Sequence, residues 1–286
     1  MLGAEVYASA TEQKIVYHTC KSRFCPSCGS RAASVWQEEL ETVLPQVPHV
    51  EINLTMPKAF WSILEQNRHL LGDVPALGAA AIQFWAKATY SANVILMVVQ
   101  QTYGGFLNFY PHLHTLVSAG GFVESRGQWI PSLQFGKEQH QRELMLAWRF
   151  AVLAFFNEAI KGGVLKSDRA EVRNILEKES KRNWNIYVGR PVSKKLVISH
   201  IGRYIRKPPV AQHRLTGSNG REVQYLAKDT RNDCLTPILH ANQKFVELLI
   251  PHVMDRYQNS MRYFGLLAPR SKILLADLAR ECICPP

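Results

Sequence analysis

Two stretches in which apolar and polar residues alternate, His49 to Met56 and Asn108 to Ser118, constrain the fold of this chain more than any other feature. A period of two buries one face of an extended segment and leaves the other polar, so both read as half-buried β-strands. Pro57 ends the first, and Gly120 and Gly121 end the second, within which His112 to Val117 is the strand proper. Phe122 and Val123 lie beyond that turn. Between them the β-branched run Val94 to Gln101 reads as a central strand, joined to the second stretch by a turn at Gly104 and Gly105. A shorter strand is expected over Asn183 to Val188. Helical composition and periodicity mark Ser34 to Thr42, Ala59 to Leu71, Leu77 to Tyr90, Glu138 to Ile160 and Lys194 to Arg206, the last stopped by Pro208 and Pro209. With 47% hydrophobic residues among 286, the chain can bury a sizeable core. No apolar run approaches the roughly 20 residues of a membrane span. The first ten residues carry Glu5 and no basic residue, which excludes a secretory n-region and sets the expectation of a cytoplasmic protein with no membrane partner.

The charge is basic and unevenly placed. There are 34 Lys and Arg against 23 Asp and Glu, a formal charge of +11. From Ser180 to Arg221 there is no acid, while ten cations occur: Lys181, Arg182, Arg190, Lys194, Lys195, Arg203, Arg206, Lys207, Arg214 and Arg221. A solvated surface normally mixes its signs. A one-sided block interleaved with Trp184, Tyr187 and Tyr204 reads as a phosphate-facing surface, since each cation that neutralises a phosphate releases counterions. The competing reading is a basic face that serves solubility. A metal hydrolase acting on a small substrate does not fit such a block.

Three of the six cysteines crowd together at Cys20, Cys25 and Cys28. In a reducing compartment this clustering argues for metal, and a C-x2-C turn aims two thiolates at one ion with Cys20 close enough to add a third. His18 is the nearest candidate for a fourth ligand, against the plainer reading of a loop histidine. Cys234, Cys282 and Cys284 read as incidental.

Within the second alternating stretch, His112 and His114 stand two apart. Residues i and i+2 of a strand share a face, so the two imidazoles could hold one divalent ion, or each could be an ordinary strand histidine. Tyr204 lies in a helix with cations on both sides, and positive charge with a metal-polarised phosphate would favour its phenolate. Taken alone, it would read as an interfacial aromatic.

These segments together resemble a known family. The strand VEINLTMP, the strand NFYPHLHTLVSAGG and the helix HIGRYIRKPPVAQHRL look like the rolling-circle transposases of the insertion-sequence-ninety-one type, in the superfamily with a histidine-pair metal site and a tyrosine nucleophile. The N-terminal VYHTCKSRFCPSCGSRAA resembles that family's zinc module, and MRYFGLLAPR its terminal motif. The resemblance covers about Glu5 to Lys272, with these motifs in the family's order. It implies an α+β fold, an antiparallel-sheet nuclease core with flanking helices preceded by a small zinc-binding module. The expected division is a partial zinc module over 1–34, a nuclease domain over 35–272 and an unassigned tail over 273–286.

The activity implied is single-strand DNA cleavage and strand transfer. Tyr204 matches the nucleophile, and His112 and His114 the ligands of Mg2+ or Mn2+, with Gln101 as a third candidate. Cys20, Cys25, Cys28 and His18 would hold Zn2+. Arg203, Arg206, Lys207, Arg214, Lys194 and Lys195 would contact single-stranded or hairpin DNA ends. The sequence departs from the family in carrying His200 where many members have a first tyrosine four residues before Tyr204, and in lacking further cysteines over Ala8 to Thr11. Family chains are usually longer, and the tail LLADLARECICPP matches none of the motifs, so a truncated chain is expected. A remnant that binds DNA without cleaving it is the alternative function.

Overall fold

In a computed structural model of the chain, the described residues are 3–20, 25–204, 208–229, 234–255, 258–273 and 278. The chain begins with a two-stranded antiparallel hairpin, β1 (Ala4–Ala8) and β2 (Gln13–Tyr17), exposed along its whole length. Helix α1 (Pro26–Val43) follows, starting eight residues before the expected helix, which began at Ser34. The reason is Pro26 in the first turn: its fixed φ suits a helix start, and it has no N–H to leave unsatisfied. Cys28 and Gly29 therefore belong to the helix and not to a free-standing turn. Ala33, Trp36, Leu40 and Leu44, spaced three or four apart, form the buried stripe of α1 and its end.

Strand β3 (His49–Thr55) comes next, and its buried and half-buried residues alternate as the sequence required. The single helix expected over 59–71 is broken: α2 (Trp61–Gln66) is flanked by two short 3-10 turns. Asn67 makes the break. Its side-chain amide donates to the Ile63 carbonyl (2.8 Å), and its side-chain oxygen accepts from the Lys166 N–H (2.6 Å), so it serves the backbone outside the helical ladder. Then follow α3 (Val74–Tyr90), β4 (Ile95–Tyr103), β5 (Phe109–Ser118), and a small hairpin of β6 (Gly121–Val123) and β7 (Gln128–Ile130). The remaining elements are α4 (Glu138–Lys161), α5 (Arg169–Ser180), β8 (Ile186–Val188), α6 (Lys194–Tyr204), β9 (Leu215–Ser218), β10 (Glu222–Asp229), β11 (Cys234–Ala241), α7 (Asn242–Leu249) and β12 (Met261–Gly265).

The central sheet has five strands in the order β12-β4-β5-β3-β8, all paired antiparallel. Its two faces bury different cores. Val50, Ile52, Leu54, Leu96, Val98, Leu113 and Val117 pack with α3 and α4, around Trp85 and Trp148. Ile95, Met97, Val99 and Leu116 point the other way and pack with Trp36 and Leu40 of α1 and Val197 and Ile198 of α6. The fold is thus α+β with flanking helices, as the resemblance implied. Gly78 lets α3 approach closely: a Cβ there would stand 2.3 Å from Leu113 Cδ1.

A second sheet, ordered β11-β10-β9, sits with α7 at the tip of the β4–β5 hairpin. Leu107, Val210, Tyr225 and Ala227 form its small core. The Arg214 guanidinium donates to the carbonyls of Leu226 and Gly105, and a Cβ on Gly105 would meet the Lys228 carbonyl at 2.2 Å. Among the described residues no helix is long and apolar enough to cross a membrane.

Candidate metal centre and tyrosine helix

Strand register brings the polar residues of the central strands into one patch on the α1 and α6 face. Across β3 and β5, Thr55 pairs with His112, Asn53 with His114 and Glu51 with Leu116. Across β4 and β5, Gln101 pairs with His112 and Val99 with His114. Paired residues of a sheet share a face, so His112, His114, Gln101, Asn53 and Glu51 all lie on it. Leu113, between the two histidines, points into the opposite core.

The two half-buried imidazoles meet edge on. His112 Nε2 and His114 Nε2 are 3.1 Å apart, and the Tyr110 ring stacks against His112 with centroids 4.6 Å apart. Each ring is held from behind. His112 Nδ1 lies 2.8 Å from the Tyr110 carbonyl and His114 Nδ1 lies 3.0 Å from Glu51 Oε1, and both partners can only accept. Both Nδ1 atoms therefore carry the hydrogen. Burial first, and the neighbouring His114 second, push the His112 pKa down to about 3, so that ring stays neutral and its Nε2 is a lone pair. Two nitrogen lone pairs facing at this distance repel unless a proton or a cation lies between them.

The spacing suits a cation. Adjacent ligands of an octahedral ion at about 2.1 Å stand about 3.0 Å apart, close to the 3.1 Å observed. A ring nitrogen that donates to a carbonyl or carboxylate while the other is offered forward is also how metal-binding histidines are commonly supported. Gln101, opposite His112 and 6% exposed, is next to the pair, whereas the buried Asn53 Oδ1, opposite His114, has no hydrogen-bond partner among the described residues.

Glu51 reaches further. Its other oxygen, Oε2, lies 3.0 Å from Nε2 of His200 on α6. Burial opposes the charge on Glu51, but the hydrogen bond from His114, the electrostatic attraction of His114 and His200 and a hydrogen bond from Asn53 outweigh it and hold its pKa below the usual carboxylate range. An unbroken polar chain thus runs from the Tyr110 carbonyl through His112, His114 and Glu51 to His200. Tyr204 is the last residue of α6, one turn beyond His200. Glu51 could have been suspected from sequence as the one carboxylate on the alternating β3 strand, but only the register shows which histidine it meets.

Helix α1 fixes α6 from outside. Gln37 Nε2 donates to the Ile198 carbonyl (3.0 Å), and Trp36 Nε1 donates to the Tyr263 hydroxyl of β12 (2.9 Å). At the N-terminus of α1 the sulfurs of Cys20, Cys25 and Cys28 lie within 4.8 Å of one another, with Cys20 and Cys28 at 3.6 Å. That exceeds a disulfide bond, and tetrahedral zinc with sulfurs at about 2.3 Å separates them by about 3.8 Å. The cluster fits a zinc-binding module. His18 is not among the residues gathered there.

The cations of the acid-free block are placed variously. Lys195 is exposed on α6, but Lys194 is 7% exposed, packed near His49, and is not a surface contact. Arg214 spends its guanidinium on the two backbone carbonyls that tie the second sheet down. Arg206 and Lys207 lie outside the described residues, and Arg203 is placed only by its backbone on α6.

Comparison with known proteins agrees with this architecture. Residues 96–273 match the family model described as "Putative transposase", and residues 2–56 match that of the "Transposase zinc-binding domain". The chain is 27% identical over 282 residues to the transposase for insertion sequence element IS801 of Pseudomonas savastanoi pv. phaseolicola, covering 94% of this chain and 67% of the relative. It is 26% identical over 284 residues to "Putative transposase y4qJ" of Sinorhizobium fredii (strain NBRC 101917 / NGR234), covering 94% and 71%. No solved structure gives a significant match. With one family model spanning more than half its length and the zinc-domain model preceding it, this chain belongs to the IS91-type transposase family.

Proposed function

We propose that this transposase cleaves and rejoins single-stranded DNA, or the single strands of hairpin ends, through a covalent bond between Tyr204 and a DNA phosphate. The observation that carries the reading is the pair of Nε2 atoms converging at 3.1 Å, linked by Glu51 to the helix that ends in Tyr204. His112 and His114 would hold Mg2+ or Mn2+, with Gln101 adding an oxygen; such an ion polarises the non-bridging oxygens of the scissile phosphate. Tyr204 stands four positions, about one turn, beyond His200 along α6, the spacing at which two helix residues share a face. The Tyr204 oxygen attacks phosphorus, its proton passes to water, and the 3′-oxygen leaves and is protonated. The products are a 5′-phosphotyrosine and a free 3′-hydroxyl. A second 3′-hydroxyl attacks the phosphotyrosine, the phenol is restored, and strands are joined without an external energy source.

The exposed Lys195, together with Arg203, Arg206 and Lys207, supplies positive charge along the strand path. Cys20, Cys25 and Cys28 would hold Zn2+ and so brace the start of α1, which in turn packs on α6. The test is incubation with a single-stranded suicide oligonucleotide from an element end and Mn2+. A covalent adduct is expected for the wild type and none for Tyr204→Phe or His112→Ala. Gel retardation without any adduct would instead mark a DNA-binding protein that no longer cleaves.

A further inference from the structure

Glu51 is the junction between two structures that the chemistry needs together. Each carboxylate oxygen is engaged by a different imidazole at 3.0 Å: Oε1 by His114 Nδ1 on strand β5, and Oε2 by His200 Nε2 on helix α6. The residue is firmly placed, on a central strand and with a side chain 17% exposed, while His200 is 46% exposed at the rim. With both oxygens already engaged by imidazoles, Glu51 stands behind the histidine pair and not in front of it. Along α6, Gln37 tethers the Ile198 carbonyl, and the His200 link follows it half a turn nearer the end that carries Tyr204.

We propose that Glu51 is a two-handed positioning residue that fixes the His114 ring with one oxygen and docks the tyrosine helix through His200 with the other. Ordering of the metal-binding pair and docking of α6 are then one coupled event. A cation that draws His114 Nε2 forward strengthens the Nδ1–H bond to Glu51, which holds the carboxylate in the rotamer that receives His200. Conversely, a docked helix holds Glu51 where it selects the His114 tautomer with Nε2 free for a ligand. The proposal rests on the reading of the pair as a metal site, and the experiment separates the two.

Mn2+ affinity is measured by titration calorimetry, and amide hydrogen exchange across α6 is measured with and without Mn2+, for wild type, Glu51→Gln, His200→Ala, the double variant and His112→Ala. Glu51→Gln keeps the shape but cannot accept from both histidines, and it is expected to weaken Mn2+ binding by about 10- to 100-fold, the usual cost of losing such a supporting partner. The double variant is expected to bind no more weakly than Glu51→Gln, because both changes act through one carboxylate. Mn2+ should slow exchange across α6 in the wild type and leave it unchanged in His200→Ala. If His112→Ala abolishes Mn2+ binding while Glu51→Gln binds as the wild type does and His200→Ala retains the metal-dependent slowing, the coupling is refuted and the metal site stands. If the wild type binds no Mn2+, both fall. Should Glu51→Gln not fold, the His200→Ala exchange experiment alone decides.

Discussion

His49 makes a quantitative prediction about acid stability. It opens strand β3, is 0% exposed, and neither ring nitrogen makes a well-formed hydrogen bond among the described residues. Burial first, partly offset by a contact with the Val47 backbone and reinforced by the nearby Lys194 charge, lowers its pKa from 6.5 to about 4. In the unfolded chain the ring titrates at its ordinary value, so between these two values the unfolded state binds more protons than the folded one. Stability is therefore fully present above pH 6.5 and is lost as pH falls toward 4. At about 1.4 kcal/mol per unit, the loss is about 2 kcal/mol at pH 5 and about 3 kcal/mol below pH 4. His49→Leu, of similar bulk, removes the titrating group and its poorly satisfied nitrogens together. It is expected to be neutral or stabilising at pH 7, where unpartnered buried polar groups cost about 1–3 kcal/mol each. The assay is urea unfolding of both proteins from pH 7.5 to pH 4.5, reading the difference between them so that groups common to both cancel. An advantage of His49→Leu that grows by about 2 kcal/mol between pH 7 and pH 5 is expected. A difference that stays flat over that range would show that His49 is not buried as a neutral ring, and the reasoning would be wrong.

Other expectations are simpler to test. Reduced, purified protein should carry one equivalent of zinc by atomic spectroscopy, and Cys25→Ser or Cys28→Ser should lose it; less than one equivalent in the wild type would remove zinc from the cluster. Gly105→Ala should destabilise the chain by about 1–3 kcal/mol, because its Cβ would strike the Lys228 backbone carbonyl, which the pairing of β10 with β11 holds in place; an unchanged melting temperature would contradict that close approach. Replacing the exposed Lys195 by Ala should weaken single-stranded DNA binding and lower the dependence of the affinity on log[salt] by about one unit, as read by fluorescence anisotropy.

The strands that build the site were legible because their alternation had to serve two cores. Val50, Ile52 and Leu54 face one core while Glu51, Asn53 and Thr55 turn to the other side, and β5 divides in the same way around Leu113. The histidine pair could thus be named from its spacing and the helix carrying Tyr204 from its pattern and the prolines that follow, whereas Gln101 could be named only as what the family resemblance implies. Glu51 could not be given its role, because its contacts to His114 and His200 lie 63 and 149 residues further along the chain, and only strand register and helix packing bring them together. The start of α1 was misplaced because a C-x2-C pair suggests a turn, whereas Pro26 begins a helix there. The second sheet escaped notice for a different reason: β9 and β11 are exposed along most of their length, so burial imposes little pattern on them, and backbone pairing to β10 holds them instead. The charge block read as one phosphate-facing surface is divided in the fold, with Arg214 and Lys194 doing internal work.

The most direct measurement is to trap the covalent complex with a single-stranded suicide oligonucleotide and Mn2+, digest it with protease and nuclease, and locate the nucleotide on the peptide by mass spectrometry. The expected result is a single modified residue, Tyr204. Modification at another tyrosine, such as the exposed Tyr187 of β8, would contradict the assignment of α6 as the helix that delivers the nucleophile to the histidine pair.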